Sequence, residues 1–548
     1  MTLDGFLTAL TLIVAIFALV PAVQRLRATL SLPVQGLLAL AALGAILWLE
    51  LYEPTLECPS WFGTFCPRIG LGPDAATVAR KDAFLIVLVW ALAAYLVHRF
   101  SRVRVGSVPA LSRLTGRLID ENRLGEALAL LEPHIGVFAK ASLNKGQWQR
   151  LHYRIRMFGW PDLVGPIDLA NKRWDEKLPK FATAAVRPLA RLVPAQRNAQ
   201  EAAIETFRLV FHSPQLLAYI ANERPDLALP LLRTDVYGFG DFADAFLERL
   251  IAQPGSALYR ELEQNQNTHH PVGYYILESN RLLHLLFSDA EVALKLGAWR
   301  PVGNYLQRLF DGAEDSGYIA RLNGSAAWFE NEWWRDPGFV GIFYFDVMVS
   351  SALHQGVRDH MWLFYFPNFA DRIAQVYDSS GPGVDRHAEF PTRGARLLYE
   401  LVSHLAKWIR SVPELPEGAP HRAIPADLNH TGDSIPFSAA NALGRTLAAI
   451  MRSGKVDLDV IQTLHDVVAR MITELPRDGI LAALRARVIA ELVGGGGDHR
   501  RNNHVRHLTI MLENTDHVLR AELDDYRAAL GVVRGTVSRP RFNSSSRS

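Results

Sequence analysis

Two short polar runs of the chain carry the side chains best suited to bind a small ligand. One lies between two amphipathic stretches and ends in adjacent histidines, His269 and His270, which follow several amide side chains. The other combines four consecutive glycines with histidines and arginines, and it includes Arg500 and Arg501. Glycine-rich turns and guanidinium groups are typical of phosphate binding. These four residues are the candidate ligand residues of two separate runs, and a metal is the alternative ligand of the second run. A hydrated loop is the favoured interpretation of the first run, and a flexible link into a basic helix explains the second with fewer assumptions.

A third group repeats every four residues and therefore shares one face of a helix: Asp346, Ser350, His354 and Arg358. Asp346 and His354 are separated by about 12 Å along such a helix. At that distance the carboxylate cannot orient the imidazole as a serine hydrolase requires. We therefore interpret the group as the polar face of an otherwise buried helix.

Motifs of the common enzyme classes are missing from the sequence. It contains no phosphate-binding loop, no HExxH or GxSxG motif and no dinucleotide-binding glycine pattern. No cysteine follows position 66, so the long C-terminal part offers no thiol nucleophile or thiolate ligand for a metal. The sequence implies no cofactor and no metal, and it favours a protein that is not an enzyme while leaving enzymes with scattered catalytic residues open.

Aromatic side chains are concentrated in residues 328–366, where 12 of 39 residues are Trp, Phe or Tyr against 10% in the whole chain. Several of them stand four residues apart, which predicts a core of packed rings. The segment nevertheless crowds more rings together than one helix face can bury. We expect a few of them to line a groove for a partner. The candidates are Trp328, Trp333, Trp334 and Trp362.

Three uncharged apolar runs near the N-terminus predict membrane spans, at 5–24, 28–49 and 83–98. The first two hold about twenty residues each, enough for a helix to cross a hydrocarbon core of ~30 Å. The third run is shorter, and a buried core helix is its alternative. None of the runs contains Asp, Glu, Lys or Arg, and the one histidine, His98, stands at the last position of the third run, which favours an anchor over a transporter.

Charges next to the runs predict their orientation. Arg25 and Arg27 follow the first run and a basic cluster beginning at His98 follows the third, whereas the loop 50–82 is acidic. The positive-inside rule then places the N-terminus outside a bacterial inner membrane and everything after the third span in the cytoplasm. Asp4 stands where a signal peptide would be positively charged, so a cleaved signal is disfavoured.

The chain has only two cysteines, Cys58 and Cys66, and both lie in the predicted outer loop. An oxidising exterior favours a disulfide that closes this short loop. A loop that senses a ligand or the redox state is the alternative.

The remainder of the chain shows the helical period of about 3.6 residues and no sustained strand alternation. Helical stretches are predicted, among others, at 339–353, 394–411 and 441–452, and a helix-turn-helix is predicted around Asp120. The stretch GRLIDENRLGEALALLEP resembles the second-helix portion of a tetratricopeptide repeat, which implies stacked helical pairs. The expected fold is a membrane-anchored all-α protein, with three transmembrane helices followed by a large multi-helical, solenoid-like body.

Prolines and glycines suggest where this protein divides. Five prolines lie between 411 and 436, and serines and unpaired arginines fill the C-terminus. The predicted organisation is an anchor at 1–105, a helical body at 106–410 and a Pro-rich linker at 411–436. A C-terminal helical unit at 437–530 and a disordered basic tail at 531–548 follow.

Together these features predict a membrane-tethered cytoplasmic scaffold or sensor that binds another protein. A membrane effector of bacterial defence or stress, whose spans perturb the bilayer on a signal, is one alternative; a helical hydrolase or nucleotide-binding enzyme is another. The expected partners are the lipid bilayer and a protein, and self-association stays open. The 58 basic and 56 acidic residues nearly balance, so the composition carries no signal for nucleic acid.

Topology can be tested with reporter fusions. We expect a phosphatase fused after Thr64 to be active, because the acidic loop is predicted outside, and one fused after Val108 to be inactive. The opposite pair of results would exclude the three-span arrangement.

Overall fold

The computed structural model describes residues 11, 34–48, 86–97, 105–143, 197–233, 239–270, 273–326, 332–358, 362–425, 434–495 and 501–537. Over these residues the chain is predominantly helical, which confirms the all-α prediction. The one sheet in this part of the chain is an antiparallel hairpin of two short strands, β1 (His269–His270) and β2 (Gly273–Tyr274).

The first helices in chain order are α1 (34–48), α2 (86–97), α3 (Val108–Asp120), α4 (Leu124–Leu131), α5 (Ile135–Leu143), α6 (Arg197–His212), α7 (Pro214–Glu223) and α8 (Ala228–Leu232). The next are α9 (Phe239–Ala252), α10 (Ala257–Asn265), α11 (Arg281–Phe287), α12 (Ala290–Leu296), α13 (Trp299–Phe310), α14 (Tyr318–Leu322), α15 (Pro337–Gln355) and α16 (Tyr365–Val376). The last are α17 (Arg393–Arg410), α18 (Ile435–Ser453), α19 (Leu458–Glu474), α20 (Ile480–Gly494), α21 (Arg501–Asn514), α22 (His517–Ala521) and α23 (Asp524–Val537).

Helices α1 and α2 fall inside the second and third predicted spans. Apart from residue 11, the first predicted span lies outside the described residues, and so does the loop with Cys58 and Cys66. Among the helices that the structure describes, none combines the length and the apolar character needed to cross a bilayer. The three-span arrangement therefore stays a prediction.

The chain divides into two compact units, of which the first comprises 1–210 and 234–237. In it, α3 and α4 form the predicted helix-turn-helix, with Asn122 at a positive φ of 56° in the turn. Leu111 and Leu118 of α3 are buried, as is Ala127 of α4, because the apolar stripe of each helix faces the other. The structure thus confirms the pairing predicted around Asp120.

The second unit comprises 211–233 and 238–548, and α15 is its central helix. Its residues from Gly338 to Leu353 are buried on every side, and most of them are apolar, so the helix is stable only when neighbours cover all of its faces. It contacts α13, α12, α10, α17 and the hairpin. Its start is fixed by Asp336, whose carboxylate accepts a hydrogen bond from the backbone N–H of Phe339, and its end by Gly356 at a positive φ of 72°.

The C-terminal helices of this unit pack directly on the preceding ones. α18 contacts α16 and α17, and α17 also contacts α19. Helices on both sides of the predicted linker 411–436 therefore belong to one compact unit. α23 continues to Val537 and so includes the first residues of the predicted tail 531–548; the remaining tail residues lie outside the described residues.

Gly444 allows α18 and α20 to approach closely. A Cβ atom at this position would lie 2.6 Å from the carbonyl carbon of Glu491, a backbone atom of α20 that no side-chain rotation can move away. The contact therefore requires the hydrogen side chain of glycine.

Replacing this glycine should separate the two helices. We expect Gly444→Ala to lower the free energy of unfolding by about 1 to 3 kcal/mol, the usual cost of overpacking a core. Gly531→Ala in α23 is the matched control, because open space surrounds the added methyl group there. Thermal unfolding of the full-length protein measures both, and equal melting temperatures would contradict the predicted contact.

Candidate functional site

A carboxylate is buried at the centre of the second unit. Asp346 lies in the middle of α15 and is fully shielded from solvent. An isolated charge in such a position costs several kcal/mol, so the surroundings must supply hydrogen-bond donors or positive charge. The side chains that do so come from three elements.

Each carboxylate oxygen of Asp346 accepts hydrogen bonds from two donors. Tyr274 donates its hydroxyl to Oδ2 at 2.5 Å, and the Lys407 ammonium donates to the same oxygen at 2.7 Å. Trp408 donates its indole N–H to Oδ1 at 2.8 Å, and Ser350 donates its hydroxyl there at 3.2 Å. A carboxylate has about four lone-pair positions, so these donors satisfy it completely.

A histidine extends this arrangement toward the surface along α17. His404 places Nδ1 3.4 Å from Asp346 Oδ2 and Nε2 3.7 Å from Glu400 Oε2. The side chains of His404 and Glu400 are each 12% exposed, so this end of the network reaches solvent. We call Asp346, Tyr274, Ser350, His404, Lys407 and Trp408 the Asp346 cluster.

The cluster holds its groups in defined protonation states. Burial alone would raise the pKa of Asp346, but the positive charges of His404 and Lys407 and the hydrogen bonds outweigh it and bring the pKa well below its usual range. Burial, and then the neighbouring carboxylate, raise the pKa of Tyr274 far above 10. The site therefore contains an ionised carboxylate and a protonated phenol.

The hairpin is fixed to α15 by the same cluster. Tyr274 stands on β2 opposite His269, and Lys407 Nζ lies 4.4 Å from the centre of the Tyr274 ring. Next to it, a Cβ atom on Gly273 would approach the backbone oxygen of Ser350 to 3.3 Å, so the strand lies directly on the helix. The cluster thus positions the loop that sequence analysis had singled out for its histidines.

An aromatic strip leads from the surface to the cluster, and it consists of Trp333, Trp334, Phe339, Phe343 and Tyr274. Ring centres are 4.7 Å apart for Trp333 and Phe339, 5.2 Å for Trp334 and Phe343, and 5.5 Å for Phe343 and Tyr274. Phe339 and Phe343 are buried, whereas both tryptophans are half-buried. Two of the four predicted partner-binding tryptophans therefore lie at a surface.

The other predicted site residues fall elsewhere. Trp362 is fully buried and stacks on Trp299 with ring centres 5.6 Å apart, so it belongs to the core and not to a binding surface. His269 and His270 form β1, and Arg501 begins α21; only their backbone is described. Four predicted site residues lie outside the described residues: Cys58, Cys66, Trp328 and Arg500.

The glycine-rich run has a structural role in the part that is described. Gly495 ends α20 at a positive φ of 54°, and His504 donates from Nε2 to the Leu492 carbonyl oxygen at 2.7 Å. Burial lowers the pKa of His504, which keeps the imidazole neutral. This histidine therefore closes the end of α20 and is not displayed to a ligand.

Of the four residues predicted to share one helix face, Asp346, Ser350 and His354 lie on α15, whereas Arg358 lies beyond its end at Gln355, and His354 is not the histidine at the site. Ser350 bonds Asp346, whereas His354 is exposed at the end of the helix. The imidazole near the carboxylate is that of His404, which stands 58 positions after Asp346 in the sequence. The sequence analysis missed this histidine; the spacing of Glu400, His404 and Lys407, which puts them on one face of α17, is the signal that could have predicted it.

Comparison with protein-family models, with curated proteins and with solved structures finds no match for this chain. The geometry must therefore define the class of site. Ser350, the serine of the cluster, is buried and donates to the carboxylate, so it is not displayed as a nucleophile. A fully bonded cluster under half-buried rings is suited to positioning a binding surface.

Removing the buried charge tests how much the Asp346 cluster stabilises the second unit. We expect Asp346→Asn to lower the free energy of unfolding by about 3 to 5 kcal/mol at neutral pH, because Lys407 keeps its charge and loses its partner. Ser350→Ala is the matched control and should cost about 1 kcal/mol. Denaturant unfolding of the full-length protein measures both.

The same variant has a defined pH dependence. A carboxylate with a lowered pKa in the folded state stabilises the protein above the unfolded value of about 3.9, and this stabilisation is lost as the pH falls below it. The difference between wild type and Asp346→Asn should therefore narrow below about pH 4. A difference that stays constant down to pH 3 would show that Asp346 is not the group described.

Proposed function

We propose that this protein is a membrane-tethered helical scaffold or sensor that binds another protein through the aromatic strip. The observation that carries the proposal is the pair of half-buried tryptophans, Trp333 and Trp334, on a tightly packed helical unit. Tryptophan is enriched among the residues that dominate protein interfaces. Its large ring gains area on binding and loses little conformational freedom.

The aromatic strip is held in place by groups that do not themselves face a partner. Phe339 and Phe343 are buried beneath the two tryptophans, and the hairpin tyrosine closes the inner end of the strip against Asp346. A preformed surface of this kind binds with less loss of entropy than one that must first be ordered. This supports a binding role for the strip.

The N-terminal helices support the tether. α1 and α2 pack through Ala42 and Ile46, against which the side chains of Ile86, Val87 and Trp90 lie. Large apolar side chains remain on the outer surface of this pair.

Exposure of these outer side chains is high: 70% for Leu37, 69% for Leu40 and 62% for Val89. Apolar surface of this extent on two packed helices is covered by lipid or by another protein in the cell. The basic and acidic residues that flank the runs favour lipid, with the body in the cytoplasm.

Partner capture from the native membrane tests the proposal. Full-length tagged protein, solubilised in detergent, should retain a specific partner that Trp334→Ala loses, because truncating the ring removes the centre of the interface. Phe364→Ala is the matched control: this ring is also partly exposed but lies outside the strip, so the variant should keep the partner.

Folding must be checked in parallel, since Trp334 also packs on Phe343. Trp334→Phe preserves part of that packing and should show intermediate capture at an unchanged melting temperature. If Trp334→Ala and Phe364→Ala retain the same proteins, the strip is not the binding surface.

A further inference from the structure

Three aromatic rings on the second unit enclose one positive charge. The guanidinium carbon of Arg396 lies 4.8 Å from the ring centre of Trp333, 4.8 Å from that of Phe390 and 5.0 Å from that of Tyr399. Each distance is within the ~6 Å over which a cation is attracted to a ring face. We call Trp333, Phe390 and Tyr399 the ring box.

An acidic residue completes the box. Glu400 forms an ion pair with the Arg396 guanidinium, with Nη2 and Oε1 2.8 Å apart, and only 12% of the Glu400 side chain is exposed. Several rings beside one carboxylate are the usual receptor for quaternary ammonium groups in proteins. The box therefore has the composition of such a receptor.

The hydrogen-bond donors of Arg396 are not all satisfied within the ring box. Its Nε atom is buried and has no hydrogen-bond acceptor among the described residues. A guanidinium has five N–H donors, and a donor buried without a partner weakens binding. A quaternary ammonium has no N–H group at all, so in the same place it would gain the attraction of the rings and leave no donor unpaired.

Part of the Arg396 side chain already contacts solvent, because 20% of it is exposed. Rotation about its own flexible bonds would carry the guanidinium from the rings into water. The rings come from three separate positions that remain in place, namely the turn before α15, the loop before α17 and α17 itself.

We propose that the ring box is a binding site for a quaternary ammonium group, and that Arg396 occupies it when no ligand is bound. The site uses Trp333 but does not require the protein partner proposed above. Its ligand is a small trimethylammonium solute or a trimethylated lysine side chain, since both present the same cation.

Titration of the purified full-length protein with choline tests the proposal. The protein is kept in a maltoside detergent, which has no ammonium group, and the ionic strength is held constant with NaCl. We expect saturable binding of choline and about tenfold weaker binding of its uncharged isostere 3,3-dimethylbutan-1-ol, because the isostere has the shape without the charge. No saturable choline binding, or equal binding of the two compounds, would overturn the proposal.

Variants of the box identify the place of binding. Arg396→Met removes the competing cation and keeps an apolar side chain, so it should bind choline about fivefold more tightly than wild type. Trp333→Ala and Glu400→Gln should bind it about tenfold more weakly. If Arg396→Met does not fold, the two other variants still decide, and unchanged affinity in both would exclude this box. A peptide with trimethyl-lysine, titrated in the same way, separates a modified protein from a free solute as the ligand.

Discussion

The second unit depends on the hydrogen bonds and the ion pair that surround the buried, ionised carboxylate of Asp346. A charge in this position is stable only if the chain surrounds it with donors, and the donors come from α17, the hairpin and α15 itself. Three elements that are far apart in sequence are thereby tied to one point. An arrangement in which one donor is displaced leaves part of the buried charge without a hydrogen bond. The network therefore favours the single arrangement in which all three elements meet at Asp346.

Much of the fold follows from the helical period alone. The stretch predicted at 394–411 is α17 at Arg393–Arg410, and the stretch predicted at 339–353 is the interior of α15. The prediction at 441–452 began too late, because α18 starts at Ile435 with Pro436 in its first turn. Proline is favoured there, since the missing N–H would have no acceptor in any case. Pro436 is therefore a helical residue and not the last residue of the predicted linker 411–436.

The site was harder to predict because its members meet only in three dimensions. Ser350 and Asp346 are one helical turn apart, so the sequence pairs them directly. Tyr274 and His404 reach the same carboxylate from 72 positions before it and 58 positions after it. Nothing in periodicity specifies such a meeting. Burial separates the aromatic residues in the same way: Trp334 and Trp362 belong to one compositional peak, yet only the folded chain shows that one lies at the surface and the other in the core.

The burial of α15 on all sides affects how the protein unfolds. Its backbone amides are covered by neighbouring helices along nearly the whole length from Gly338 to Leu353. Solvent reaches them only when several of those neighbours separate, so local fraying does not expose them. In hydrogen exchange, this helix should therefore report the opening of the entire second unit, whereas the ends of the chain exchange through small fluctuations. The central helix is in this sense the unit's cooperative core. Loss of the interactions at Asp346 therefore lowers the stability of the whole unit and not of one segment.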